Sequence, residues 1–394
     1  MYPCRHDLTA CHRKLDVDCQ PHTEKWLGGR GRLHQTPEMR GSANTPVPDL
    51  PLSLFRELCV LAVEYYRLTS WKYLSDSDML AIEDVGKLRL VSVMGNAGQV
   101  FGLRISRGEK GLRWAFTLCF GRPGIDIHDP NFVFGQDGLM LEFVPRKKLE
   151  KHDLERFKHI DFKPLRNTQN SQQVWPMFRS IRPGFCPLPL TEEEGMLLLT
   201  DMAKTIKFVQ LVEKDPGILR QEYATVAFYP SDPDFTGPLQ KRDIEWRQLT
   251  LGPEPLPIPV KLSASEIKEL MAFPIDENLS FELDCLYSPS LVAGDPYAYF
   301  PWLSLTVDGR VGKILEMELT DSRTEKPEEG VVRCFLRAIR KLGKRPRDLA
   351  VRREPMAAGI SLVCEALAIM YFKVSCLPMT DLAYADLRLH MKNP

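Results

Sequence analysis

The apolar positions of this chain fall into two rhythms, and they change over along its length. In PDLPLSLFRELCVLAVEYYRL (48–68), Leu54, Leu58, Leu61 and Tyr65 recur at helical spacing, which predicts an amphipathic helix. The period then drops to two. MLAIED (79–84), KLRLVSVM (87–94) and QVFGLRIS (99–106) read as three short strands, joined by VG (85–86) and NAG (96–98). SRGEKGLRWAFTLCFG starts a helix packed on them, GLMLEFVPR (138–146) is a further strand and LEKHDLERFKHI (149–160) a short helix. After the proline-punctuated stretch around Trp175-Pro176 and Arg182-Pro183-Gly184, read as a rigid turn supporting this half or else as the lining of a groove, comes a long helix. Thr191 and Glu194 form its capping box. EYATVAFYP (222–230) and IEWRQLTL (244–251) close the half as a strand pair.

GPEPLPIPV (252–260) has four prolines in nine residues, the composition of an extended connector. Beyond it, Ser263 and Glu266 make a second capping box. LSFELDCLY (279–287), FPWLSLTVD (300–308) and KILEMELTD (313–321) are strands, EEGVVRCFLRAIRKLG (328–343) a helix and DLAVRR (348–353) a strand. A helix over AAGISLVCEALAI, a strand over YFKVSCL and a helix over TDLAYADLRLHM complete the chain. The expected architecture is α+β. Residues 1–47 form a disordered extension, 48–251 an N-terminal α+β domain, 252–262 a Pro-rich linker and 263–394 a C-terminal domain with a mixed sheet in βββ-α-β-α-β-α order.

A length of 394 residues suits two cores, and a hydrophobic fraction of 44% is that of an ordinary globular protein. Formal net charge is zero, so no global field draws the chain to nucleic acid or membrane. No apolar run approaches the roughly 20 residues of a membrane span, and the amino terminus lacks a secretory pattern. A cytoplasmic location is therefore expected. Most of the ten cysteines, such as Cys59, Cys119, Cys334 and Cys364, sit singly in apolar runs, as reduced buried thiols do.

VSVMGNAGQVFGLRI (91–105) asks whether Gly95, Gly98 and Gly102 cradle a phosphate. A P-loop needs GxxxxGK[ST] opening a helix, and a dinucleotide loop also needs the helix. Here no Lys-Ser or Lys-Thr is present, and the chain runs on into a strand, so the glycines predict a hairpin with Asn96-Ala97-Gly98 as its turn. The run from Trp71 through SVMGNAGQVFGLRISRGEKGL, then WPMFRSIRPGF, then FELDCLYSPSLV…YAYFPWLSLTVDGRVGKIL resembles an uncharacterised family of bacterial two-domain proteins of unknown function. The likeness spans about residues 50–394. It implies the two-domain layout and a prokaryotic-type cytoplasmic protein, but supplies no activity and no catalytic residues.

Three constellations carry candidate chemistry. The element order of 279–391 is that of RNase H-like domains, whose carboxylates hold two divalent ions for in-line displacement. Asp284 in the first strand, Asp308 ending the second and Glu354 after the fourth are the acids here, with Mg or Mn as the implied cofactor. The fourth strand ends in Arg352-Arg353 where an acid belongs, Asp381 and Asp386 are unmatched, and Asp308 before Gly309 also suits a turn. Second, residues 333–353 carry nine Lys or Arg against Asp348 alone. Arg333, Arg337, Arg340, Lys341, Lys344, Arg352 and Arg353 would neutralise phosphates of a nucleic acid, or simply form a solvated face. Third, Cys4, His6, Cys11, His12, Cys19 and His22 are zinc-ligand types without the CxxC spacing of a zinc site. GxSxG and HExxH are absent. The leading expectation is a non-catalytic binding or interaction module without a cofactor, favouring a protein partner. The alternative is a nucleic-acid-binding or metal-dependent nuclease-like protein.

Overall fold

The computed structural model describes residues 50–121, 127–166, 172–219, 225–232, 235, 237–294 and 297–391. The expected extension (1–47), with its Cys4–His22 set, lies outside them, and the described residues belong to one compact unit.

The N-terminal half is an eight-stranded sheet. In chain order its elements are α1 (Leu52–Leu68), β1 (Leu80–Asp84), β2 (Lys87–Met94), β3 (Gly102–Arg107), α2 (Gly108–Phe120), α3 (Pro130–Phe134), β4 (Gly138–Val144), α4 (Lys151–His159), β5 (Leu165–Arg166), β6 (Gln173–Ile181), α5 (Glu192–Lys214), β7 (Thr225–Phe228) and β8 (Glu245–Gln248). The strand order is β5-β6-β4-β3-β2-β1-β7-β8, antiparallel except where β1 meets β7. Alternation assigns the faces. Val91, Val93, Leu103, Ile105, Leu139 and Leu141 point to α1 and α5 and form the main core, whereas Leu90 points to α2 with Met79, Ala81 and Ala115.

Two readings change in detail. The β2–β3 connection is a hairpin, but its loop spans 95–101 instead of a three-residue turn. Gly98 takes φ +72° there and its N–H donates to Gly95 O. Trp175-Pro176 lies inside strand β6 and not in a turn. Among the described residues, one side of β6 has no neighbouring strand beyond the two-residue partner β5, so the N–H that Pro176 lacks costs no ladder bond.

Residues 249–263 carry no helix or strand. The C-terminal half comprises α6 (Ala264–Met271), β9 (Ile275–Tyr287), β10 (Trp302–Asp308), β11 (Ile314–Thr320), α7 (Pro327–Leu342), β12 (Arg345–Val351), α8 (Glu354–Ala366), β13 (Met370–Lys373) and α9 (Pro378–Met391). Its sheet runs β11-β10-β9-β12-β13, with β9, β10 and β11 antiparallel and β9, β12 and β13 parallel. This is the RNase H-like arrangement. Phe281, Leu283 and Cys285 face α7 and α8, while Leu303, Leu305 and Val307 of the opposite face meet α9.

Buried ion pairs pin the helices of the first half to its sheet. Arg89 on β2 clasps the fully buried Asp201 of α5 through Nε (2.7 Å) and Nη2 (2.9 Å), and Arg179 on β6 clasps Asp153 of α4. Glu194, besides capping α5, accepts from Arg107, Arg182 and Ser180. Burial pushes its carboxyl up, but the hydrogen bonds from Arg107, the Thr191 N–H and Ser180, with the Arg107 charge, outweigh that and hold it below its ordinary value. A depressed folded value places this stabilisation above the unfolded value of about 4.3 and removes it as pH falls through the folded one. Thermal melts at neutral and acid pH therefore show a smaller acid loss in Glu194→Gln than in the wild type. An equal loss in both would contradict the assignment.

Candidate functional site

The C-terminal ends of β9 and β12 are where an RNase H-like fold collects its acids, and the residues there are Asp284, Arg352, Arg353 and Asp381. Asp284 is fully buried on the α9 face of β9. Arg352 donates to its Oδ2 from Nη2 (2.6 Å) and Nε (3.2 Å), and Arg353 donates to its Oδ1 through Nη1. Arg352 also reaches Asp381 of α9 at 2.8 Å, and Arg353 reaches Asp129, just before α3 in the N-terminal half. Two guanidinium groups are thus enclosed by three carboxylates drawn from β9, α9 and the start of α3. Burial lowers the proton affinity of Arg352, but the charges of Asp284 and Asp381 outweigh it, so the guanidinium stays charged. Burial likewise pushes the Asp381 carboxyl up, against the pull of Arg352.

The other expected acids are not brought to this cluster. Asp308 pairs with Phe281 in the ladder and so lies on the opposite face from Asp284. Its Oδ1 accepts from the N–H groups of Arg310 (2.9 Å) and Val311 (3.3 Å), which makes it the cap of the β10–β11 turn. Glu354 opens α8, exposed and paired with Lys373. Among the described residues no group of three or more His, Cys, Asp or Glu is placed to hold a metal ion. Both oxygens of Asp284 already accept from guanidinium groups. The residues present therefore do not fit Mg or Mn.

The basic run does not form a free cationic stripe either. Arg333 pairs with Glu318 and Glu325, Arg337 with Glu316 and Glu318, and Lys341 with Glu316. Arg340 pairs with Glu269 and Lys344 with Asp276. β11 supplies most of the compensating charge, because its alternate residues Glu316 and Glu318 lie against α7. The one-dimensional count of cations missed acids that the sheet folds beside them.

Sequence reasoning also missed the bridge between the halves. Asp129 caps α3 by accepting from Asn131 N–H (2.7 Å), with Pro130 at the first helical position, so Asp-Pro-Asn was the available signal. The Asn131 amide then pairs with backbone at the end of β9, donating to Cys285 O and accepting from Tyr287 N–H, both at 2.9 Å. It satisfies groups that β12 leaves unpaired, since the β9–β12 ladder ends at Leu283. Phe134 stacks on Phe300 at 4.1 Å. Gly184 donates to Phe134 O and accepts from Phe300 N–H. The Arg182-Pro183-Gly184 turn, expected to support the first half, therefore also joins the second. A Cβ at Gly184, which has φ +79°, would stand 2.9 Å from the Tyr287 ring.

A cleft of about 920 Å³ opens beside the first sheet, lined by Arg89, Arg107, Arg113, Glu109 and Asp137 among others. Arg89 and Arg107 are held by Asp201 and Glu194, and Arg113 donates to Glu109 and to the carbonyls of Gly252 and Pro253. Its arginines are thus committed to the protein, and Leu251, Gly252 and Pro253 form one wall. The sharper prediction concerns Asp284. Removing one partner of a buried ion pair costs about 3–5 kcal/mol, so Asp284→Ala lowers stability by that order in chemical denaturation. A loss below about 1 kcal/mol would contradict a buried clamp.

Residues 55–229 match the family model described as Domain of unknown function (DUF7309), and residues 266–388 match Domain of unknown function (DUF6930). No curated protein matches. Solved structures similar to the chain include the catalytic core domain of BIV integrase, at 14% identity and a TM-score of 0.23, covering 29% of this chain and 70% of that one. The HTLV-2 integrase catalytic core domain in complex with magnesium is 16% identical, with a TM-score of 0.22, covering 30% of this chain and 76% of that one. Likenesses at this level decide nothing about activity. The chain joins two domains of unknown function, one matching DUF7309 and the other DUF6930.

Proposed function

We propose that this protein is a non-catalytic binding or interaction module, whose RNase H-like half serves as a scaffold and whose partner is a protein. The observation that carries the reading is the occupancy of Asp284. A carboxylate that is to hold a divalent ion must offer free lone pairs and a second acid beside it. Asp284 instead accepts from Arg352 and Arg353, and the neighbouring acids Asp129 and Asp381 are turned to the same two arginines. The cluster has the chemistry of a structural ion-pair network. The paired cations of α7 support the choice of partner class, because a phosphate backbone would compete with Glu316, Glu318 and Glu269 for them.

The test is incubation of the whole chain with short single- and double-stranded DNA and RNA at low and moderate salt, with and without Mn²⁺. The expected result is no cleavage and no salt-sensitive binding. Mn²⁺-dependent cleavage that Asp284→Asn abolishes would overturn the proposal, as would binding that weakens steeply with salt and is lost in Arg340→Glu.

A further inference from the structure

Arg104 departs from the pattern set by the other buried arginines. It sits on β3 in the face covered by α2, between Gly102 and Ser106. Arg89 and Arg179 are each clasped by a buried carboxylate, whereas Arg104 is only 8% exposed and its Nε and Nη2 have no hydrogen-bond partner. Its guanidinium carbon lies over the Trp114 ring, 3.8 Å from the centroid, and Trp114 stacks in turn on Phe132 of α3. The Trp114 Nε1 is a second kind of buried donor without an acceptor. The Ser106 hydroxyl is a third: it is fully buried, also unpartnered, and on the same face of β3 two residues along.

The physical argument is one of missing acceptors. A buried charge without a partner costs several kcal/mol, a large part of the roughly 5–15 kcal/mol total stability of a typical domain. Stacking on Trp114 satisfies the face of the guanidinium but leaves its N–H edge empty. Burial draws the Arg104 proton affinity down to about 10, with the Cys119 thiol and the Asp137 carboxylate opposing. At neutral pH the group is therefore still a cation. Asp137, the nearby carboxylate, is committed to Arg107 at 3.1 Å. The Nε and Nη2 groups form the edge that grips two oxygens of one oxyanion side by side. Trp114 Nε1 contributes only a donor. The set lacks a cation-binding oxygen cluster and matches an anion alone.

We propose that Arg104, with Trp114 and Ser106, is a binding site for a small oxyanion, a carboxylate or phosphate group, between β3 and α2. The proposal concerns the DUF7309 half and stands whether or not the reading of the Asp284 cluster holds.

The experiment is thermal unfolding of the full chain in phosphate, in acetate and in chloride at one fixed ionic strength, with each oxyanion titrated. A ligand that binds only the folded state raises the melting temperature with the logarithm of its concentration. The expected result is such a rise for phosphate or acetate over chloride, and the one that acts identifies the group. The rise is lost in Arg104→Met, which keeps the volume and removes the donors. Salts that stabilise proteins by exclusion from the surface would act equally on the variant. Should Arg104→Met fail to fold, Trp114→Phe and Ser106→Ala keep the packing and remove single donors, and each weakens the response severalfold. A wild-type response no larger than that of the variants, or no response to either oxyanion, would overturn the site.

Discussion

A single buried carboxylate organises the second half of this molecule and its contact with the first. Asp284 carries a full charge at a position without solvent, and the fold tolerates it because Arg352 and Arg353 come directly after β12, beside it. The same guanidinium groups then need further acceptors, and they find them in Asp381 on α9 and Asp129 before α3. One desolvated charge thereby ties together two strands, the last helix and the other domain. The sheet brings these strand ends together, and Arg352 and Arg353 make their meeting point a joint.

The first half uses the same device three times, in Arg89–Asp201, Arg179–Asp153 and Arg107–Glu194, each between a strand and a helix. Such pairs contribute modestly to net stability, but breaking one is costly. They therefore fix which helix lies over which strand more than they strengthen the domain. Against that regularity Arg104 stands out, since it lies over an aromatic ring with Nε and Nη2 unpartnered and no carboxylate clasping it.

Most elements were legible because their signals are local. Capping boxes at Thr191 and Ser263 and period-two apolar runs are read within a few residues. The hairpin at Gly95–Gly102 was separable from a phosphate loop because it leads into a strand instead of a helix. Strand β6 was lost because Trp175-Pro176 reads as a turn unless one knows that β5 covers only its first residues. The candidate site was less legible, since its meaning lies in pairing across the sheet. Asp284 and Asp308 look equivalent in sequence, yet the register puts them on opposite faces. The cations of 333–353 look unopposed until β11 brings Glu316 and Glu318 beside α7. Asp129 and Asn131 carried only a helix-start signal, and nothing nearby in sequence points to β9, more than 150 positions away.

The account stands on Arg353 acting as a link between Asp284 and Asp129. The most direct measurement is a double-mutant cycle on the stability of the whole chain, with Asp129→Ala, Arg353→Ala and the pair. The capping role of Asp129 appears in both legs and cancels. A coupling energy above about 1 kcal/mol is predicted for residues in one buried network. Effects that add within about 0.3–0.5 kcal/mol, as for distant sites, would contradict it.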